Sequence, residues 1–339
     1  MVATLKDVAQ RAGVSTTTAS RILNGRGTGV PIREETRQKV LSIAAELGYH
    51  PNLLARALRG SRSYLLGVIA QNITSLFQSQ ILRGLNDVVI SRGYRVFLGN
   101  IQRESDIAID YGSMFEKFHA DGILILGEWL DDQNALEYLL RRHNYVVGVT
   151  DRVTRRAFPG VYTDNVIGVH LALDHLWSLG HRRVACVFDP TIQDGKLRSD
   201  VYAQYMRAHD AETFIRLIQT SRTFEGSYTI GQQLFADADQ PTAVFAATDA
   251  IAIGLLQAAF QRGISVPRHV SLIGFDDIDL AAFTIPPLTT IRQSGVEMGQ
   301  LAANLLLDMI EQERTSDQVT DIVLTPTLIV RQSTAAPSN

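Results

Sequence analysis

From Tyr64 onward the chain repeats one rhythm that confines it to a narrow class of folds. Short apolar runs, YLLGVIA (64–70), RVFLGN (95–100), GILIL (122–126) and YVVGVT (145–150), are separated by helical stretches near 79–92, 104–118 and 132–142. The runs have strand length, and strands alternating with helices predict a parallel sheet covered on both faces. The rhythm restarts after Asp164 with RRVACVFD, TAVFAATD and VSLIGFDD, and with helices near 165–179, 226–237 and 249–262. Two α/β lobes in succession are expected. A chain of 339 residues, 45% of them hydrophobic, is long enough for two or three domains that each bury a core.

Ligands of open parallel sheets bind outside the carboxyl ends of the strands. Polar residues gather there. Asn72 and Gln78 follow the first strand, Arg103 the second, and Asp151 ends the fourth. The second lobe adds Arg198, Phe224, Asp249 and the pair Asp276–Asp277. Each alone reads as a helix cap or a loop residue, and Asp249, which begins a helix, reads as its N-cap. Together they point at one cleft between the lobes. An enzyme would need more. Asp276 and Asp277 could form an acid–base pair, but neighbours on a loop point different ways. The chain has no G-x-S-x-G elbow and no H-E-x-x-H motif. Its one cysteine, Cys186, sits in RRVACVFD, reads as a buried strand residue, and rules out a Cys-rich zinc site. The expectation is a binding protein without enzymatic activity, metal or cofactor. With no disulfide framework, signal peptide or apolar run of membrane length, the expected compartment is the cytoplasm.

The net charge of −3 conceals an asymmetry. Residues 1–62 carry ten Lys or Arg against four Asp or Glu, and the remainder 22 against 31. A basic head on an acidic body suits a polyanionic partner. The head itself begins TLKDVAQRAGVSTTTASRILN. Thr4 and Asp7 have capping-box spacing, and Leu5, Val8, Ala9 and Ala12 form one apolar stripe. Gly13 suits a left-handed helix end, and Ser15 suits the N-cap of a second helix whose inner side is Ala19, Ile22 and Leu23. A third helix runs from Glu34 to Leu47 and ends at Gly48. Thr16 and Thr17 open the second helix, with Arg21 one turn after Thr17. Small hydroxyl side chains let a helix N-terminus enter a DNA major groove, where Thr and Arg read base edges. Thr18 and Ser20 suit phosphate contacts. The glycines of GRGTG follow a helix rather than a strand, so they make no dinucleotide fingerprint.

This stretch resembles the DNA-binding head of the lac repressor and purine repressor family of bacterial transcription regulators, whose usual pattern is close to TLxDVAxxAGVSxxTVSRVLN. Ala19 stands where valine is common, and Arg33 where serine usually precedes the third helix. The resemblance extends through VPRHVSLIGFDDIDLAAFTIPPLTTIRQ, LGHRRVACV and LTPTLIVRQST, essentially the whole chain. It implies an all-α helix-turn-helix head joined to a two-lobed α/β effector domain like a periplasmic sugar-binding protein. Residues 1–51 would be the head, 52–62 a hinge helix and linker, and 63–339 the effector and dimerisation domain. The first lobe would take about 63–162 and 292–323, the second 163–291 and 324–339. The implied function is a repressor that binds a near-palindromic operator as a homodimer. The implied ligand is a small molecule, a sugar or related polyol, held in the cleft; a purine-type corepressor or a phosphoprotein co-regulator is the alternative.

The resemblance also assigns residues. Thr4, Ser15, Thr16, Thr17, Thr18, Ser20, Arg21 and Asn24 would meet DNA from the head. Asn52, Ala55 and Leu58 would do so from a short hinge helix, Leu58 wedging between base pairs in the minor groove. Such a helix is marginal alone, since nucleation costs more than so few hydrogen bonds return. Effector contacts would fall on Phe77, Gln78, Arg103, Asp151, Arg198, Phe224, Thr248, Asp276 and Gln293. The chain would cross between lobes near 162–164, 290–293 and 323–326. No leucine heptad follows RQSTAAPSN, so a dimer rather than a tetramer is expected.

Overall fold

A computed structural model of the chain describes residues 3–23, 32–49, 62–101, 105–127, 133–150, 158–237 and 239–338. They form two compact units, Met1–Tyr64 and Leu65–Asn339. Among the described residues no helix is long and apolar enough to cross a membrane.

The first unit contains α1 (Leu5–Ala12), α2 (Thr16–Leu23) and α3 (Glu34–Glu46). The apolar positions recur every three or four residues, so each helix turns one stripe inward. Val8, Ala9 and Ala12 meet Ala19 and Ile22 of α2 and Val40, Ile43 and Ala44 of α3 in a single small core. Gly13 ends α1 at φ 71°, a conformation that costs glycine nothing and other residues a Cβ clash. Arg33 precedes α3 and offers its first turn no side-chain acceptor. Glu34 and Glu35 in that turn complement the positive end of the helix instead.

The second unit holds two six-stranded sheets. The first lobe carries β1 (Leu65–Ala70), β2 (Arg95–Asn100), β3 (Gly122–Leu126), β4 (Val146–Val149), β5 (Gly160–Thr163) and β11 (Ile322–Leu324), ordered β11-β5-β4-β3-β1-β2 and parallel throughout. The second carries β6 (Val184–Phe188), β7 (Arg216–Gln219), β8 (Ala243–Ala246), β9 (Ser271–Asp276), β10 (Thr289–Arg292) and β12 (Thr327–Ile329), ordered β12-β10-β9-β8-β6-β7. Only β12 runs antiparallel. Central strands such as β3 and β6 are buried along their whole length, as a sheet covered on both faces requires.

The covering helices are α4 (Leu76–Ser91), α5 (Ser105–Lys117), α6 (Gln133–Arg142) and α11 (Gly295–Gln312) in the first lobe. The second lobe has α7 (Asn165–Ser178), α8 (Gln193–Ala208), α9 (Phe224–Leu234) and α10 (Asp249–Gln261). Phe115 of α5 fills one face of the first sheet beside Ile69, Ile123 and Leu139. Complete burial of such a ring contributes about 1.5–3 kcal/mol. On α4 and α11, Gly84 and Gly299 let two helix backbones approach: a Cβ on Gly84 would lie 1.9 Å from the Val296 carbonyl oxygen, and one on Gly299 2.0 Å from that of Ile81.

The chain passes from sheet to sheet between β5 and α7, between β10 and α11, and between β11 and β12. The Asp164 N–H donates to the Leu324 carbonyl (3.0 Å), joining the first and third passages. Three expectations from the sequence need adjustment. Helices α8 and α11 and strands β5, β7, β10, β11 and β12 add to the repeated rhythm. Helix α9 begins at Phe224 and α4 at Leu76, two and three residues earlier than the periodicity indicated. Asp249 is not an N-cap: Thr248 is, its hydroxyl accepting from the Ile251 N–H.

Candidate functional site

The head presents a polar helix face. In α1 the Thr4 hydroxyl accepts from the Asp7 N–H, and the Asp7 carboxylate accepts from the Thr4 N–H at 2.8 Å, a closed capping box. The reciprocal bonds hold the Asp7 carboxyl below its ordinary range. In α2 the Ser15 hydroxyl accepts from the Thr18 N–H (3.1 Å) and shares a bond with the Thr18 hydroxyl (2.8 Å). Thr16 and Thr17 remain exposed, with Ser20 and Arg21 half-buried. The leading turn of α2 therefore offers two free-standing threonines, while Ser15 and Thr18 are committed to the cap that orients them. Asn24, Asn52, Ala55 and Leu58 lie outside the described residues.

In the second unit a cavity of about 230 Å³ lies between the lobes, at the carboxyl ends of the strands. Phe77, Gln78, Arg198, Phe224, Thr248, Asp276 and Gln293 all line it. Arg103 and Asp151 lie outside the described residues. Caps build the walls. Ser75 caps α4, Thr223 caps α9 and Thr248 caps α10 through hydroxyls that accept first-turn N–H groups. The Gln78 side-chain carbonyl accepts from the Asn72 N–H (3.2 Å), and the Asn72 carboxamide oxygen accepts from the Thr74 N–H (2.9 Å), so the loop after β1 is fixed. Opposite it, Asp189 accepts from the Thr191 N–H (2.9 Å) and from the Arg222 N–H (3.1 Å). Phe224 is 45% exposed at the rim, and Phe77 packs partly against the second-lobe core.

The polar floor is made by Arg198 and Asp276. Arg198, 2% exposed, holds its guanidinium carbon 3.7 Å above the centre of the Phe275 ring. Its Nε donates to Asn165 (2.8 Å) and one terminal nitrogen to the Ala247 carbonyl (2.6 Å). Asp194 stands 3.6 Å from its other terminal nitrogen and Asp276 3.8 Å from the first. The Gln293 amide donates to the Asp276 carboxylate at 2.7 Å. Burial raises the Asp276 carboxyl despite Arg198 and Gln293, which favour its charged form. Behind it Asp249 is fully buried, accepting from Thr290 (2.5 Å) and from the Ile278 N–H (3.0 Å). Burial, with the nearby Asp276 charge, raises that carboxyl too. Asp277 turns away from the cavity to Arg292 and Arg331, so the two adjacent aspartates do not work as a pair.

Several lining residues carry no mark in the sequence alone: Gln71, Asp189, Asp194 and Arg222. Asp194 was within reach, since it lies four residues before Arg198 on one helix. Asp189 and Arg222 meet only through the folded loops after β6 and β7.

Comparison with known proteins identifies both parts of the chain. Residues 4–52 match the bacterial regulatory proteins of the lacI family, and residues 173–334 match a periplasmic binding protein-like domain. The ribose operon repressor of Bacillus subtilis is 34% identical over 338 residues, 98% of this chain and 99% of its own length. The transcriptional repressor PurR of Erwinia tasmaniensis is 33% identical over 98% of this chain and 97% of its own. Among solved structures, the lac repressor dimer bound to operator and the anti-inducer ONPF superposes with a TM-score of 0.87 at 26% identity, covering 99% of this chain and 100% of that one. A LacI family regulator from Enterococcus faecium with bound ribose gives 0.73 at 28% identity, covering 80% and 99%. These relatives are transcriptional regulators rather than enzymes. By its head, its two-lobed body and its likeness to them over nearly its full length, the chain belongs to the lacI family of bacterial regulatory proteins.

Proposed function

We propose that this protein is a cytoplasmic repressor that binds a near-palindromic operator as a homodimer and is controlled by a neutral polyhydroxyl ligand, a sugar or related polyol, in the cleft. The repressor reading follows from family membership and the exposed Thr16–Thr17 face of α2. Dimerisation is supported by the lac repressor dimer and by Phe283 and Ile285, large apolar side chains 80% and 94% exposed on the second lobe. The cleft binds and does not catalyse. Its two aspartates diverge, and Arg198 is bound up in hydrogen bonds.

One observation carries the ligand class: the charge balance of the cavity. Among its described lining residues, Asp189, Asp194 and Asp276 face Arg198 and Arg222. Arg198 is already shared between Asp194 and Asp276, so an anionic ligand would meet an excess of carboxylate. A hydroxyl both donates and accepts, so a neutral polyol can use Asp276 and the Asn, Gln and Thr groups around it together. The aromatic faces of Phe77 and Phe224 suit the apolar face of a sugar ring. The ligand's effect on DNA follows from differential affinity for two lobe arrangements.

A thermal-shift screen of free pentoses, hexoses and disaccharides beside sugar phosphates and purines tests the ligand class. A shift with a neutral sugar that Asp276→Ala abolishes supports it, and a shift with purines or sugar phosphates alone overturns it. Binding-site selection tests the head separately: a symmetric motif supports the operator reading, and unselective binding overturns it.

A further inference from the structure

Strand β9 ends at Asp276, and both Asp276 and the following Asp277 have positive φ, 131° and 55°. Residues with a Cβ hold such a conformation only where their surroundings over-determine it. Asp276 forms the cavity floor, and Asp277 is held separately from it. Its side chain is 7% exposed, and one carboxylate oxygen accepts from Arg292 (2.6 Å), the other from Arg331 (2.6 Å). Its backbone carbonyl accepts from the Gln80 amide (3.3 Å), which also reaches Asp279 (3.2 Å).

These partners are distant in sequence: the two arginines lie at neighbouring strands of the second-lobe sheet, and Gln80 comes from the other lobe. Arg292 is the last residue of β10, just before the second passage between lobes. Arg331 follows β12, just after the third. The Arg331 side chain also donates to the Leu288 carbonyl (2.7 Å) and its N–H to the Thr289 hydroxyl (2.9 Å), which fastens it to the start of β10. Gln80 belongs to α4 of the first lobe. Asp277 thus ties the end of a second-lobe strand to two interlobe passages through its buried side chain, and to the opposite lobe through its backbone carbonyl.

We propose that Asp277 is a positioning residue that locks the angle between the lobes and ties that angle to Asp276. A buried carboxylate held by two guanidinium groups does not part from them cheaply. A hydroxyl that draws on the Asp276 carboxylate therefore moves the 276–277 peptide against a fixed anchor, and the movement is taken up in the passages. The regulatory consequence rests on the cleft being the effector site. The lock is made of this chain's own residues, so it is tested without ligand and the two readings fail separately.

The test uses the full-length chain with spin labels on Asn86→Cys of α4 and Gln257→Cys of α10, both exposed, diluted with unlabelled protein. The native Cys186 is completely buried and takes no label. Interlobe distances are read by pulsed electron resonance. The parent is expected to give one narrow distance distribution, and Asp277→Asn, which leaves an amide where both arginines need an acceptor, to lose it at an unchanged circular dichroism spectrum. Arg292→Met removes a half-exposed side chain and should broaden the distribution to a lesser degree, which decides the matter should Asp277→Asn fail to fold. A broad distribution in the parent, or a narrow one retained in every folded variant, overturns the proposal.

Discussion

Gln293 grips Asp276 twice: its side-chain amide donates to the carboxylate at 2.7 Å and its backbone N–H to the carbonyl at 3.3 Å. Asp276 ends β9, and Gln293 is the first residue past β10, where the chain leaves for the other lobe. The acceptor at the cavity floor is therefore continuous with a passage between lobes.

The buried acids make stability fall as pH rises. Burial, partly offset by Arg198 and Gln293, lifts Asp276 from 3.8 to about 6. Asp249 behind it is lifted as well, by burial and by the Asp276 charge. A raised carboxyl means the folded state holds protons more tightly than the unfolded one. Its contribution to stability is then present below the unfolded value and is lost as pH climbs through the folded one. Melting temperatures from pH 4 upward should show this decline, with Asp276→Asn flattening its lower part. A neutral sugar that donates to an ionised Asp276 should also bind more weakly below about pH 6 and release a proton there. Calorimetry in buffers of different ionisation enthalpy detects that proton.

Arg198→Met should be costly. The side chain has nearly the volume of the arginine stem but leaves Asn165, the Ala247 carbonyl, Asp194 and Asp276 without their shared donor. Breaking a buried ion pair from one side typically costs about 3–5 kcal/mol. Thermal unfolding of the second unit measures it, and a loss below 1 kcal/mol, roughly what an exposed pair is worth, would contradict the burial argument.

Thr4→Ala opens the capping box of α1 and should destabilise the head by about 1 kcal/mol. Amide exchange in Leu5–Ala12 should quicken, while exchange in the second unit stays unchanged. Asp7→Asn should cost less, because the amide oxygen can still accept from the Thr4 N–H.

Gly299→Ala places a methyl 2.0 Å from the Ile81 carbonyl oxygen. Because that atom is backbone, α4 and α11 must separate. Overpacking of this kind typically costs about 1–3 kcal/mol, and the melting temperature should fall accordingly.

Features that depend on neighbours along the chain are legible in its spacing. The stripe Val8–Ala9–Ala12, the cap residues Thr4 and Ser15, and the turn at Gly13 are local, and three- and four-residue spacing reports them directly. The same holds for strands such as GILIL, apolar because both faces of their sheet are covered. The rest depends on contacts between distant parts of the chain. Helices α8 and α11 contain Gly195, Gly295 and Gly299, poor helix formers whose presence is explained by contacts from elsewhere: a Cβ on Gly195 would lie 2.4 Å from the Asp189 carbonyl oxygen. Strands β11 and β12 are three residues each and exist only through partners distant in sequence. Asp249 looks like a cap because it begins a helix, yet its carboxylate is consumed by Thr290 and Ile278. Asp276 and Asp277 are adjacent and chemically identical, but one side chain faces the cavity and the other is held by two arginines. Spacing along a chain encodes which face a side chain takes within its own element; it does not encode which distant groups the packed elements bring to meet it.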